Sequence, residues 1–399
     1  LPYIGIFFYF LFGDHRMGRK RLKQGARIRQ FYSRRYGMTE DPLQDVVLEA
    51  SHTMRALSQS VATHSGFPVT HDNKLELLED AGSILDRIVA DIDQATKTCF
   101  LEFYIVEPEG RVTDVMEALV RAARRGVDCN LLADSFGSGP DQVAVPAIRP
   151  AQSPQADRDR PVDRVYWQLQ PGRPEILQEE QVGRRMGRLD VPAGRADCRF
   201  ARLRLQCRLY FRLCRAGDVS LQLLPSGPET RDSPIHEWVV SAIFAAHSRV
   251  SIITPYFIPD ETLTLALKAA RKRGVAVDVM VPERIDSKLA QYASESVFEE
   301  LLGADIRIAR YSEGLLHTKC VLIDDTISMV GTVNMDTRSF YLNLELTLIA
   351  YDRTVSGQLD EMRERYLDRC TFIDPEDWAA RSNWRRMKEN VLRLAAPLL

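Results

Sequence analysis

"SIITPYFIPDETLTLALKAARKRGVAVDVMVP" (residues 251–282) has a near relative earlier in the same chain, "FLEFYIVEPEGRVTDVMEALVRAARRGVDCNLLAD" (100–134). Each reads as a β-branched strand ending in an aromatic, then an amphipathic helix, a basic turn with Gly, and a second strand. Arg124-Arg125-Gly126-Val127 aligns with Lys272-Arg273-Gly274-Val275 at a constant offset of 148. Strands alternating with helices predict βαβ units and mostly parallel sheets. Two copies of one unit predict an α/β protein of two similar lobes with a site between them.

The bulk composition is that of a globular protein. The chain has 399 residues, 45% hydrophobic and 27% charged, which is enough for two domains with a sizeable core. A net charge of -2 argues against wholesale nucleic-acid binding. The seven Cys (99, 129, 198, 207, 214, 320, 370) form no CxxC pair and no metal-ligand spacing, which suits a reducing compartment.

The start of the chain is more specific. "LPYIGIFFYFLFG" (1–13) is too short to span a bilayer but fits the end of a truncated transmembrane helix. The alternatives are a core helix and a signal-peptide remnant. Residues 14–75 follow as a basic juxtamembrane and linker segment. Between Asp14 and Tyr36 nine Lys/Arg stand against one acid, the positive-inside pattern, which also attracts anionic lipid. The expected location is the inner membrane, with the body on the cytoplasmic side. The first lobe is expected over 76–217 and the second over 218–399.

Between the two copies, from about 139 to 217, both periodicities fade. Fifteen Arg lie between Arg149 and Arg215, with no Lys or His. Such a stretch is either a disordered linker or an out-of-frame translation. Back-translating "YWQLQPGRPEIL" (166–177) and reading one nucleotide later can spell Thr-Gly-Ser-Phe-Asn-Leu-Val-Asp. The same shift under "VPAIRPAQSPQADRDRP" (145–161) can spell a His-x-Lys-x4-Asp string at the matching distance. The frameshift is the better account.

A His-x-Lys-x4-Asp string stands openly in "HTKCVLIDDTISMVGTVNMD" (317–336). Val321–Ile323 is a buried strand, so His317, Lys319 and Val321 share a face. A turn at Asp324-Asp325 leads to a second strand, and Gly331-Thr332-Val333-Asn334 brings donors to its end. The pattern describes a cationic pocket for a phosphate group. Lys319 supplies a point charge, and Thr332 and Asn334 supply hydrogen bonds. His317 is placed to attack phosphorus or to protonate a leaving oxygen. Glu345, in "NLELTLIA", is the candidate carboxylate that fixes the imidazole tautomer. Asp324 is either a working member of the site or the cap of its turn. Arg338 and Tyr256 either line the pocket or pack beside it.

These strings resemble the phospholipase D superfamily, whose members carry two His-x-Lys-x4-Asp motifs, one per lobe. The narrower resemblance is to bacterial cardiolipin synthases. It rests on the apolar-then-basic start, "TPYFIP" (254–259), "GLLHTKCVLID" (314–324), "GTVNMDTRSFYLNLE" (331–345) and the closing "PLL". The departure is the absence of the first motif from the printed frame. The resemblance implies two lobes of mixed β-sheet flanked by helices. It also implies phosphatidyl transfer between two phosphatidylglycerol molecules through a phosphatidyl-histidine, giving cardiolipin and glycerol. His317 would be the acid/base and the other copy's His the nucleophile. No metal, nucleotide or other cofactor is implied. The alternatives are a phospholipase D-type hydrolase and a catalytically dead membrane-bound homologue. The expected partners are phosphatidylglycerol and anionic membrane lipids rather than nucleic acid. A homo-oligomer in which two chains each lend a His317 would also complete the site. The tail "SNWRRMKENVLRLAAPLL" (382–399), with Trp384, is either a membrane-surface helix or a docking helix.

Overall fold

The structure, a computed structural model, describes residues 51–78, 81–103, 110–133, 210–215, 218–228, 233–285, 287–314, 316–382 and 384–387. The predicted anchor and basic block, most of 139–217 and the end of the tail lie outside these residues. No described helix is long and apolar enough to cross a membrane.

In chain order the elements begin with α1 (His52–Ser65), β1 (Thr70–Leu78), α2 (Ala81–Gln94), β2 (Thr98–Phe103), α3 (Val112–Arg124), β3 (Asp128–Ala133) and β4 (Tyr210–Arg215). They continue with β5 (Val219–Ser226), α4 (Pro234–Ala245), β6 (Arg249–Ile253), β7 (Phe257–Ile258), α5 (Glu261–Lys272), β8 (Ala276–Pro282), α6 (Lys288–Leu302) and β9 (Arg307–Tyr311). The remainder are β10 (Cys320–Ile323), β11 (Ile327–Gly331), β12 (Met335–Asp336), α7 (Thr337–Tyr341), β13 (Glu345–Ala350), α8 (Arg353–Leu367), β14 (Cys370–Phe372) and α9 (Pro375–Ala379). They divide into two compact units, Lys74–Ala216 and the rest of the chain.

In the Lys74–Ala216 unit, β2 and β3 pair in parallel from Thr98↔Asp128 to Phe103↔Ala133. One core gathers Ile84, Ile88 and Ile92 of α2 with Val115, Ala118, Leu119 and Ala122 of α3. In the other unit the strand order is β14-β9-β8-β6-β10-β11-β13-β5, and Thr70 and Asn73 of β1 pair with β5. Here β6, β8 and β9 run parallel while β10, β11, β13, β5 and β14 enter antiparallel, so the sheet is mixed rather than mostly parallel. Connection length decides this. A crossover helix joins β6 to β8, but Asp324–Thr326 is far too short to carry β10 to anything except an antiparallel neighbour.

The duplication read from the sequence is present in the backbone. Gly126 and Gly274 both take the left-handed conformation, φ 86° and 90°, which a side chain would strain. After each, the next amide reaches back across the helix end: Val127 N–H to Ala122 O and Val275 N–H to Ala270 O, both 3.1 Å. The Arg before each Gly reaches across to the C-terminus of the helix one earlier in the chain, α2 or α4. Arg125 Nη2 donates to Ile92 O at 2.9 Å, and Arg273 Nη2 donates to Ile243 O at 3.0 Å. The basic residues of the two turns therefore close helix C-termini, where carbonyls and the helix dipole favour a cation.

The structure also changes the reading of 14–75. Its last part is not only linker: α1 is capped by Ser51 and sends Leu57 and Val61 into the core with Leu224, Ile235 and Trp238. The buried Gln222 holds it there, donating to Ser58 O at 2.9 Å and to Phe67 O at 3.0 Å.

Candidate functional site

Four strand ends meet at one edge of the mixed sheet. Cys320, at the start of β10, lies opposite Ile253 at the end of β6 and Val330 near the end of β11. Gly331 lies opposite Thr347 of β13, whose first residue is Glu345. His317 and Lys319 therefore enter this edge just ahead of β10, Gly331–Asn334 leave it after β11, and Glu345 begins there. Among the expected site residues, the structure brings His317, Lys319, Thr332, Asn334 and Glu345 to one end of one sheet.

Lys319 is 3% exposed, and its Nζ donates to His317 O at 2.8 Å. This bond folds the ammonium back over the segment just ahead of β10. Gly331 makes the edge possible. A Cβ there would sit 2.4 Å from Leu346 O and 2.8 Å from the Thr347 Cα. Only Gly lets β11 approach β13 this closely opposite Lys319.

Thr332 bonds to the facing strand. Its N–H donates to Leu346 O at 3.1 Å, and its Oγ1 accepts the Leu346 N–H at 3.0 Å. The hydroxyl thus extends the β11–β13 ladder past Gly331. Asn334 keeps an open atom. Its Nδ2 donates to Ser339 Oγ at 3.1 Å, while its Oδ1 is buried with no hydrogen-bond partner. A hydroxyl both donates and accepts, so turning the amide over preserves the Ser339 contact and presents NH₂ instead.

Asp324 lies at the opposite end of β10, after Ile323. Its Oδ1 accepts from Ser248 N–H at 2.7 Å, Ser248 Oγ at 2.9 Å and Arg249 N–H at 3.0 Å, and its carboxylate also takes the His247 N–H at 3.1 Å. Burial pushes this carboxyl up, but the donors of Arg249, Ser248 and His247 outweigh it and hold it below the usual carboxylate range. A four-residue strand separates it from Lys319, so Asp324 anchors the far end of β10.

Sequence reasoning missed Asp336. It is 4% exposed and caps α7, accepting the Ser339 N–H at 2.6 Å. Burial pushes its carboxyl up to about 6, against the opposing charges of Arg338 and Lys319. The signal was present: Asp followed three residues later by Ser, ahead of Phe-Tyr, is a helix N-cap pattern. The "TPYFIP" string is tied in through a short parallel bridge, Met335↔Phe257 and Asp336↔Ile258. Met335 N–H also donates to Tyr256 O at 3.2 Å, so Tyr256 holds this loop through its backbone. Arg338 is exposed. The counterpart His-x-Lys expected under 153–170 lies outside the described residues.

Comparisons with known proteins bear on the family and the fold. The family described as "Cardiolipin synthase, PLD-like domain" matches residues 239–367, which contain β6 to α8 and the whole site edge. Cardiolipin synthase A of Erwinia tasmaniensis is 30% identical over 447 aligned positions, covering 100% of this chain and 90% of that protein. Cardiolipin synthase A of Yersinia pseudotuberculosis is 29% identical over 444 positions with the same coverage. The crystal structure of a phosphatidylserine synthase from Haemophilus influenzae superposes with a TM-score of 0.55 at 11% identity, covering 88% of this chain and 100% of that one, a likeness of fold. With residues 239–367 matched by that family and its whole length aligned to such relatives, the chain belongs to the bacterial cardiolipin synthases of the phospholipase D superfamily.

Proposed function

We propose that this protein transfers a phosphatidyl group between two phosphatidylglycerol molecules, and that 218–399 supplies one half of the site. The observation that carries the reading is the sheet edge itself: His317 with Lys319 bonded beneath it, and the Asn334 amide on the loop after β11. The Lys319 charge and the Asn334 amide oppose the negative charge that builds on a phosphorane, a stabilisation that grows in the transition state. His317 then protonates the departing glycerol oxygen or takes the proton of the incoming hydroxyl. Glu345, 7% exposed at the start of β13, is the group that orients it. A phosphatidyl-histidine on the other copy's His would be the intermediate. The chain acts at the membrane, on its cytoplasmic side, with anionic lipid as surface and substrate.

The printed chain lacks the second His-x-Lys in frame, so it is expected to be inactive or nearly so unless two chains each lend a His317. The test offers phosphatidylglycerol vesicles, with no second lipid, to the chain as printed and to a version with the frame restored across codons 139–217. Cardiolipin and glycerol from the restored version alone support the proposal. Phosphatidic acid without cardiolipin makes the protein a hydrolase, and turnover by the printed chain as a monomer refutes the half-site argument.

A further inference from the structure

The Lys74–Ala216 unit holds a second chemical feature that the transfer reaction does not use. Cys99 of β2 and Cys129 of β3 are directly opposite each other in a parallel pair. Neighbouring strands lie about 4.8 Å apart. Disulfides span Cα separations of about 4.4–6.8 Å. Residues directly opposite put their side chains on the same face of the sheet, and both thiols pack beside the α2–α3 core. Both cysteines are free and only partly buried, whereas Cys320 is fully enclosed and has no cysteine facing it across β6 or β11.

We propose that Cys99 and Cys129 are a redox modification site: a dithiol that closes to a disulfide by exchange with a low-molecular-weight disulfide and reopens with thiol. The two groups divide the chemistry. The neighbouring Cys99 thiol holds the Cys129 thiol below its usual range, with the Arg125 charge acting in the same direction. Cys99 itself is pushed up by the neighbouring Cys129 and by burial. Cys320 and Cys370 are both raised by burial, to about 12 and about 11, so they offer little thiolate. Cys129 is therefore the attacking thiolate and Cys99 the resolving thiol.

The exchange balances. The Cys129 thiolate attacks one sulfur of RS–SR, forming a Cys129–SR bond and releasing RS⁻. Cys99 gives its proton to that thiolate and attacks the Cys129 sulfur. The Cys129–SR bond breaks, a second RS⁻ leaves, and the protein disulfide forms. Two protein sulfurs are oxidised and RS–SR is reduced to two thiols. In a reducing compartment the pair rests open, and a disulfide there works as a transient sensor rather than a permanent staple. Closure would clamp β2 to β3, the paired strands of this unit's βαβ element.

The experiment uses the full chain, reduced and then titrated with oxidised glutathione. Free thiols are trapped by alkylation in acid, and tryptic peptides are mapped without reduction. Trypsin cuts between the two cysteines at Arg111, Arg121, Arg124 and Arg125. The expected product is a cross-linked Cys99–Cys129 peptide pair, formed at lower oxidised glutathione than any adduct on Cys320 and lost on adding reduced glutathione. In Cys99→Ser, Cys129 should accumulate as the glutathione mixed disulfide. A wild-type map in which Cys129 stays singly glutathionylated, or in which either residue links to a different cysteine, overturns the proposal. The wild-type map decides alone even if the variant folds poorly.

Discussion

Replacing Asp324 separates a structural role for the motif carboxylate from a chemical one. Asp324 accepts from three backbone N–H groups and one hydroxyl, and it stands at φ 52°, in the left-handed region. A hydrogen bond to a charged group contributes about 1.5–3 kcal/mol when buried. His247 and Ser248 are solvent-accessible, so water can replace part of theirs, and about 1 kcal/mol each is the fairer figure. Asp324→Ala should thus lose roughly 4.5–6 kcal/mol of hydrogen bonding, the three His247 and Ser248 bonds at about 1 each and the Arg249 bond at about 1.5–3. Holding Ala in the left-handed region adds about 1–2 kcal/mol. Asp324→Gly removes that strain but loosens the unfolded chain, and should be about 0.5–1 kcal/mol less damaging than Ala. Asp324→Asn keeps a neutral acceptor and tolerates the backbone, so it should cost about 1–2 kcal/mol. The expected order of stability is Asp, Asn, Gly, Ala.

Urea denaturation of the full chain, followed by tryptophan fluorescence, measures this, because the buried Trp238 and Trp378 report on the same unit. The pH dependence adds a check. A carboxyl held below its unfolded value contributes stability above about pH 4, and that contribution is lost as pH falls through its folded pKa. The stability gap between the wild-type chain and the Asp324→Asn variant should therefore narrow in acid. Wild-type stability in Asp324→Ala, with transfer abolished in the frame-restored protein, would refute the anchoring role and return Asp324 to the chemistry.

Asp336 works with the opposite sign. Its folded carboxyl is near 6, about two units above the unfolded value, so stability should fall by up to about 3 kcal/mol as pH rises from about 4 to 6. Asp336→Asn preserves the cap and should flatten that slope in urea titrations; an unchanged slope counts against the assignment. Gly331→Ala should cost more than Gly274→Ala. The first drives a methyl into Leu346 and Thr347, a cost of about 1–3 kcal/mol with displacement of the site edge, while the second meets open space and carries only backbone strain. Equal losses in thermal melts would show that β11 and β13 can separate freely.

Much of the fold was legible because it repeats. Gly126 and Gly274, each behind an Arg and ahead of a Val, marked two turns whose hydrogen bonds proved alike. The strands around the motif also fell where alternation put them, with β10 at Cys320–Ile323 and β13 starting at Glu345. Sheet direction was less legible, since strand patterning does not say which neighbour a strand will take. α1 was hidden in an expected linker because its core contacts come from residues far along the chain. At the site, the His-x-Lys string named His317 and Lys319, but the motif treated Asp324 as their companion. Along a strand of four residues, the two ends of one motif serve two different edges of the sheet.

The sequence by itself determined the family, the duplicated α/β unit and the pairing of an imidazole with an ammonium two residues on, because motif spacing and strand period are properties of the chain alone. Tertiary structure decided what each polar group faces. It turned Asp324 into an anchor, committed the Thr332 hydroxyl to Leu346, buried Asp336 beneath α7 and set Cys99 against Cys129. Those partners lie up to 77 residues away in the chain, and only the register of the folded strands brings them within hydrogen-bond or disulfide reach.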